Sequence, residues 1–265
     1  MGKKVILSVA AHGDDAEFLA GGTLARLVAE GHDVYLCFAT DNDCGSFRMS
    51  AEELRAVARS EAEGSAAVLG AKGVFMLGYT DGDLCDVKPS LLRGQVMRLI
   101  RQLEADVIFS WDPFAPFENH PDHRAIAWAT SDAAAFAHFS LYHPEHLKEE
   151  GLKSHRVSEW YWYSKAQWQT NKLVDTTDYI ERKLQALYAY KSQMILTIDE
   201  FLEEARAAGV DAAQLAGIDP TQYESLIEMG IRARDGKTGA ELGTAYAEAF
   251  RYERLEPPPI LTAGG

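Results

Sequence analysis

Val5-Ile6-Leu7-Ser8-Val9-Ala10-Ala11-His12-Gly13-Asp14-Asp15 is the stretch that decides the fold. A short run of branched apolar residues reads as a buried strand, and it passes through a small-residue turn into the helical pattern Glu17–Glu30, closed by Gly31. The unit then repeats. Asp33–Ala39 reads as a second strand. Ser50-Ala51-Glu52-Glu53 has capping-box spacing before a helix with Leu54, Val57, Ala58, Ala62, Ala66 and Leu69 on one side, stopping at Gly70. Gly73–Leu77, the helix Ser90–Leu103 and the strand Asp106–Ser110 follow. Strands alternating with helices predict βαβ crossovers and therefore an α/β, Rossmann-like fold, a mostly parallel sheet sandwiched by helices.

From about residue 140 the rhythm loosens into an elaborated, helical C-terminal third. Glu159–Tyr163 and Leu173-Val174 read as strands; Thr176–Lys191, Asp199–Ala208, Tyr223–Ala233 and Ala240–Phe250 read as helices. One domain over 1–250 is expected, with 251–265 as an extended tail because Glu256-Pro257-Pro258-Pro259 cannot continue a helix. At 265 residues one such core is affordable.

A net charge of −14 argues against nucleic acid and anionic membranes as partners. No window approaches the eighteen apolar residues of a membrane span. Cys37, Cys44 and Cys85 are too few and too irregular for a disulfide framework, and Met1-Gly2-Lys3-Lys4 leads directly into the first strand without a signal-peptide pattern, so a cytoplasmic setting is expected.

Chemistry concentrates in two clusters, Ala11-His12-Gly13-Asp14-Asp15 and His120-Pro121-Asp122-His123, each just beyond the carboxyl end of a strand, where open parallel sheets bind ligands. Two His and an Asp with one open position form a catalytic zinc set. Asp14, beside Asp15, is placed to be a general base, and the non-ligating histidine of the second cluster to donate to an oxyanion with Asp122 holding it protonated. The plainer alternatives are that Asp14 and Asp15 cap a helix and that the second cluster is a turn with an N-cap Asp.

The clusters, with Ala16-Glu17 and Gly21-Gly22-Thr23 after the first, resemble the PIG-L/LmbE family of zinc-dependent N-deacetylases. Supporting similarity runs through Arg59 and Glu61, Leu77-Gly78-Tyr79 with Asp81-Gly82, Asp175, Lys183–Leu187, Ser192-Gln193 and Glu248-Ala249-Phe250-Arg251. The resemblance implies a small-molecule N-acetyl amino sugar of the N-acetylglucosamine type as substrate. It implies one Zn2+ per subunit on His12, Asp15 and His123, Asp14 as base, His120 as electrophilic or acid partner oriented by Asp122, and homo-oligomeric assembly as in relatives. Asp81, Arg59 and Asp43 are the candidate substrate contacts; the plainer readings are a turn at Asp81-Gly82 and a helix-surface pair of Arg59 and Glu61. Two departures stand out: Gly13 where the family has Pro, implying altered loop stiffness, and Thr40-Asp41-Asn42-Asp43-Cys44-Gly45 where it carries a Thr-x-Gly-Glu-type loop.

The alternatives are a non-catalytic metal- or sugar-binding protein of this fold, a hydrolase of another small N-acyl amide, and a nucleotide-binding protein. The last lacks GxGxxG and GxxxxGK[ST] at the first βα turn, where two acids would repel a pyrophosphate. The aromatic run Trp160–Tyr163 reads as core or interface, and His143, before Pro144, as a pocket-rim residue.

Overall fold

The apolar run after Lys4 forms β1 (Val5–Ala10), which pairs in parallel with β2 (Asp33–Thr40) on one side and β4 (Val107–Trp111) on the other. The computed structural model describes residues 2–257. With β3 (Gly73–Tyr79), β5 (Glu159–Tyr163), β6 (Lys172–Asp175) and β7 (Ala247–Arg254) the sheet has seven strands in the order β3-β2-β1-β4-β5-β7-β6. Among the described residues only β7 runs against its neighbours. The chain leaves β1 towards β2 and β3, and β4 leads the other way to β5. The crevice between the ends of β1 and β4 is therefore the topological switch point.

Helix α1 (Asp15–Ala29) contacts α2 (Ala51–Leu69) and α6 (Ile180–Tyr188), whereas α3 (Pro89–Leu103) packs on α4 (Pro121–Phe136), as right-handed crossovers require. The Ser50/Glu53 capping box is present at the start of α2, and Gly70 ends that helix in the left-handed conformation at φ 82°. The short α5 (Glu145–Lys148) follows α4. The C-terminal third adds α7 (Lys191–Ala207), the short α8 (Ala212–Leu215) and α9 (Tyr223–Leu242).

Two local expectations change here. The helix expected over Thr176–Lys191 is a 3-10 turn at Thr177–Tyr179 followed by α6, then a break at Ala189-Tyr190 before α7. The break lets Tyr190 turn into the interior, where its hydroxyl donates to Glu17 Oε1 at 3.1 Å. The helix expected over Ala240–Phe250 is also not there. Gly243 at φ 78° stops α9, and residues 247–254 become β7, so Arg251–Arg254 belong to the sheet rather than to a tail. Burial decides this: Phe250 is inaccessible and sits edge-on to Phe109 and Tyr161. The proline run beyond residue 257 lies outside the described residues.

Strand β7 also carries Glu248 into a fully buried cluster. Lys183 bonds Asp235 Oδ2 at 2.7 Å and Glu248, while Glu248 accepts from the backbone N–H of Gly22 (2.9 Å) and Thr23 (2.8 Å). A Cβ at Gly22 would lie 2.7 Å from Thr176 Cβ, so the glycine notch in α1 admits the C-terminal third. The motif residues Gly21–Thr23, Lys183 and Glu248 thus join the two parts of the chain.

Candidate active site

Beyond Ala10 the chain turns and enters α1 at Asp15. One carboxylate oxygen of Asp15, Oδ2, accepts the N–H of Ala11 (3.1 Å), the N–H of His12 (3.0 Å) and the indole N–H of Trp111 (2.9 Å). That leaves Oδ1 facing the crevice, 3.3 Å from His123 Nε2. His12 Nδ1 lies 3.1 Å from His123 Nε2 and 3.6 Å from Asp15 Oδ2.

A tetrahedral ion with bonds of about 2.0–2.1 Å separates its ligand atoms by about 3.4 Å. The 3.1 and 3.3 Å separations about His123 Nε2 match that spacing, so the donors of His12, Asp15 and His123 suit a divalent metal. The outer nitrogens are also engaged, as metal-bound imidazoles require. His12 Nε2 is 3.0 Å from Asp81 Oδ1 and 3.5 Å from Asp122 Oδ2, and His123 Nδ1 is 3.0 Å from Glu118 Oε1. With those nitrogens protonated, the inner lone pairs of the two rings point at each other, an arrangement that a shared cation satisfies. Burial opposes charge on His12, but hydrogen bonds to Asp122, Asp15 and Asp81 outweigh it and hold its pKa well above the ordinary range. Trp111 stacks on His123 with centroids 3.9 Å apart and planes at 14°, fixing the ring.

Asp14 occupies the N-cap position of α1 but does not cap it. At φ 108°, ψ −31° it sits outside the extended conformation of capping residues, and its side chain makes no cap hydrogen bond. Backbone in such a region costs about 1–3 kcal/mol and is kept only where surroundings over-determine it. Burial, then the charge of Asp15, raise the Asp14 carboxyl well above its usual range, which makes its anion a better proton acceptor.

His120 is the N-cap of α4. Its Nδ1 accepts the N–H of Asp122 at 3.3 Å, so in the neutral ring Nε2 carries the proton. Burial and the neighbouring His12 and His123 press its pKa to about 4. It presents a neutral N–H donor, not the protonated ring expected. The Asp122 carboxylate is not its partner either. That group is fully buried and accepts from Gly82 N (2.7 Å) and Leu84 N (3.1 Å), facing His12 instead.

These groups open into a cavity of about 520 Å³ bordered by Phe18, Phe47, Asp81, Lys165, Gln193 and Leu196. Of the expected substrate contacts, Asp81 lies in the wall but is engaged with His12. Asp43 is buried, accepts the Asp81 N–H at 2.7 Å and pairs with Arg55. Arg59 is away from the cavity on the exposed side of α2, 3.6 Å from Glu63, because the helix turns it outward. Glu61 holds Ser192 at the start of α7. His143 lies against Gly94 and His146, not at the cavity rim. Tyr161 and Tyr163 of the aromatic run are buried in the core.

Sequence reasoning missed Trp111, Glu118, Asn42 and Tyr190. Trp111 and Glu118 carried a weak signal, since both flank the loop between β4 and the second cluster; Tyr190 carried none. Gly13 has a packing reason: a Cβ there would fall 2.6 Å from Tyr190 Cε1.

The fold and this centre define the class, an α/β protein with a divalent-metal-type ligand set at the switch point of its sheet. Residues 7–134 match the PIG-L family model, described as GlcNAc-PI de-N-acetylase. The chain is 30% identical to diacetylchitobiose deacetylase of Thermococcus kodakarensis over 194 residues, 72% of this chain and 70% of that one. The solved N,N'-diacetylchitobiose deacetylase from Pyrococcus horikoshii, in complex with the inhibitor MPG, superposes with a TM-score of 0.77 at 27% identity, covering 95% of this chain and 84% of that one. A probable N-acetyl-alpha-D-glucosaminyl L-malate deacetylase of Bacillus anthracis is 24% identical over 75% of this chain and 85% of its own. The chain belongs to the PIG-L family.

Proposed function

We propose that this protein is a zinc-dependent hydrolase that removes the acetyl group from an N-acetylated amino sugar of the N-acetylglucosamine type or its conjugate. One observation carries the reading: His123 Nε2 lies 3.1 Å from His12 Nδ1 and 3.3 Å from Asp15 Oδ1, and these groups share a cavity with a non-capping Asp14 and a neutral His120 donor. The reactions named for the relatives, all deacetylations of amino-sugar compounds, supply the substrate class.

His12, Asp15 and His123 would hold a divalent ion, which would supply Lewis acidity and make a water acidic enough to act as nucleophile near neutral pH. The rest falls to the chain's own groups. Asp14 accepts a proton from the attacking water as the new C–O bond forms. The Nε2–H of His120 donates to the oxygen of the acetyl carbonyl as it becomes an oxyanion. Asp14 then returns the proton to the sugar nitrogen as the C–N bond breaks, leaving acetate and a free amine. Asp81, Asp122 and Glu118 hold the two ligand rings.

Among the described residues no helix is long and apolar enough to cross a membrane. The three free cysteines fit a reducing, cytoplasmic setting.

The test is acetate release from a panel of N-acetyl amino sugars by protein stripped of metal and then given stoichiometric zinc. Zinc-dependent release is expected. Tight zinc binding with no release from any sugar would overturn the substrate class, and failure to bind zinc would overturn the whole reading.

A further inference from the structure

Two residues with positive φ, Asp14 (φ 108°) and Asn42 (φ 54°), sit in different loops, and Asn42 is tied to the residue just before Asp14. Asn42 is buried, and its side-chain amide closes on the backbone of Gly13 from both directions. Its Oδ1 accepts the Gly13 N–H at 3.0 Å, and its Nδ2 donates to the Gly13 carbonyl at 3.0 Å. Behind the same residue stands the ring of Tyr190, close enough that only a glycine leaves room. No proline could occupy position 13: it lacks the N–H that Asn42 accepts, and its Cβ would meet the tyrosine. The loop carrying Asn42 is pinned to the same turn, since Thr40 donates to the Ala11 carbonyl from both its N–H (2.9 Å) and its hydroxyl (3.0 Å).

The clamp acts on the residue that sets the direction of Asp14. An aspartate preceding a helix relaxes towards extended backbone and folds its carboxylate onto the helix's free N–H groups. Capping and proton transfer therefore compete for this carboxylate, and the Gly13 peptide determines which it does. We propose that Asn42, backed by Tyr190, is the positioning residue that keeps Asp14 out of the capping conformation and aimed into the cavity. The proposal rests on Asp14 being the base. It reaches the metal ligands little, because these have their own braces in Trp111, Asp81, Asp122 and Glu118.

The experiment is a double-mutant cycle of Asn42→Ala with Asp14→Asn in the zinc-loaded enzyme, with zinc affinity measured separately by competition against a chromophoric chelator. Asn42→Ala is expected to lower kcat by about 10- to 100-fold, the scale of a misplaced catalytic group. KM and zinc affinity should stay within about twofold. On the Asp14→Asn background the same change should alter residual kcat by less than about threefold, because no base is left to misplace. The isosteric Asn42→Asp keeps the acceptor and loses the donor, so it should also lose kcat; it guards against a folding defect in the alanine variant. If both Asn42 variants keep native kcat while Asp14→Asn is inactive, the positioning role is wrong and the base assignment stands. An equal kcat loss in both backgrounds, or a matching loss of zinc affinity, also overturns it. An active Asp14→Asn enzyme overturns the base assignment itself.

Discussion

Glu118 should tune the metal centre without touching substrate, and its two simplest substitutions should separate charge from hydrogen bonding. Its Oε1 sits 3.0 Å from His123 Nδ1, also accepts the His120 N–H at 3.0 Å, and lies 3.5 Å from Lys165 Nζ. Glu118→Gln keeps an acceptor of the same reach but removes the negative charge that makes His123 a stronger ligand. Glu118→Ala removes both. Losing an outer partner of a metal-bound histidine costs about 10- to 100-fold in affinity. The stack of Trp111 on His123 persists in either variant, so the ring stays oriented. Glu118→Gln therefore belongs near the tenfold end, about 1.4 kcal/mol, and Glu118→Ala towards the hundredfold end. The assay is zinc titration of metal-free protein against a chromophoric chelator, followed by kcat at saturating zinc. Affinity should fall in the order native, Gln, Ala, with kcat at saturation nearly unchanged for Gln. If both variants bind zinc within twofold of native, His123 is not held in the way argued. A fall in kcat at full occupancy would instead place the main effect of Glu118 on His120.

Three further outcomes follow from contacts already described. Gly13→Ala forces a methyl against Tyr190 and should destabilise the protein by about 1–3 kcal/mol, read as a lower Tm, with an accompanying loss of kcat; an unchanged Tm would mean that the ring is free to move. Phe250→Ala removes an inaccessible ring packed edge-on against the stacked Phe109 and Tyr161 and should cost about 3–5 kcal/mol in denaturant unfolding, whereas a cost below about 1 kcal/mol would contradict β7 as a core strand. Arg59→Ala should leave kcat/KM unchanged and shift stability by no more than about 0.5 kcal/mol, because its partner Glu63 is as exposed as it is; a rise in KM would return Arg59 to the substrate.

The parts of this protein legible from sequence are those with local causes. Apolar runs ending in glycine-bounded helices declared the parallel sheet, and the Ser50/Glu53 spacing declared a helix start that the structure has. The clusters at His12 and His120 were legible because strand ends are where such a sheet gathers its ligands. Polar residues whose partners lie far along the chain were misread. Asp43 and Asp81 carry side chains suited to sugar hydroxyls, yet their partners are a backbone N–H and His12. Tyr190 belonged to an unbroken helical pattern until a contact with Glu17, remote in sequence, bent it inward. Residues 240–250 read as helix because alanine and glutamate favour it, and the pull of a buried Phe250 outweighs that preference.

The position of β7 has a consequence for how the chain is made. Among the described residues it is the last strand in sequence, yet it lies between β5 and β6 rather than at an edge. Until residue 254 has left the ribosome, β5 offers an unpaired edge and the notch in α1 lacks Glu248, although every proposed metal ligand has already been synthesised. The nascent chain thus holds all its reactive groups well before it can close its sheet, and long-range pairing of this kind is slow and exposed to aggregation. A chain ended just before Ala247 should be insoluble despite carrying the whole catalytic set. If it folds and binds zinc, closure by β7 is dispensable.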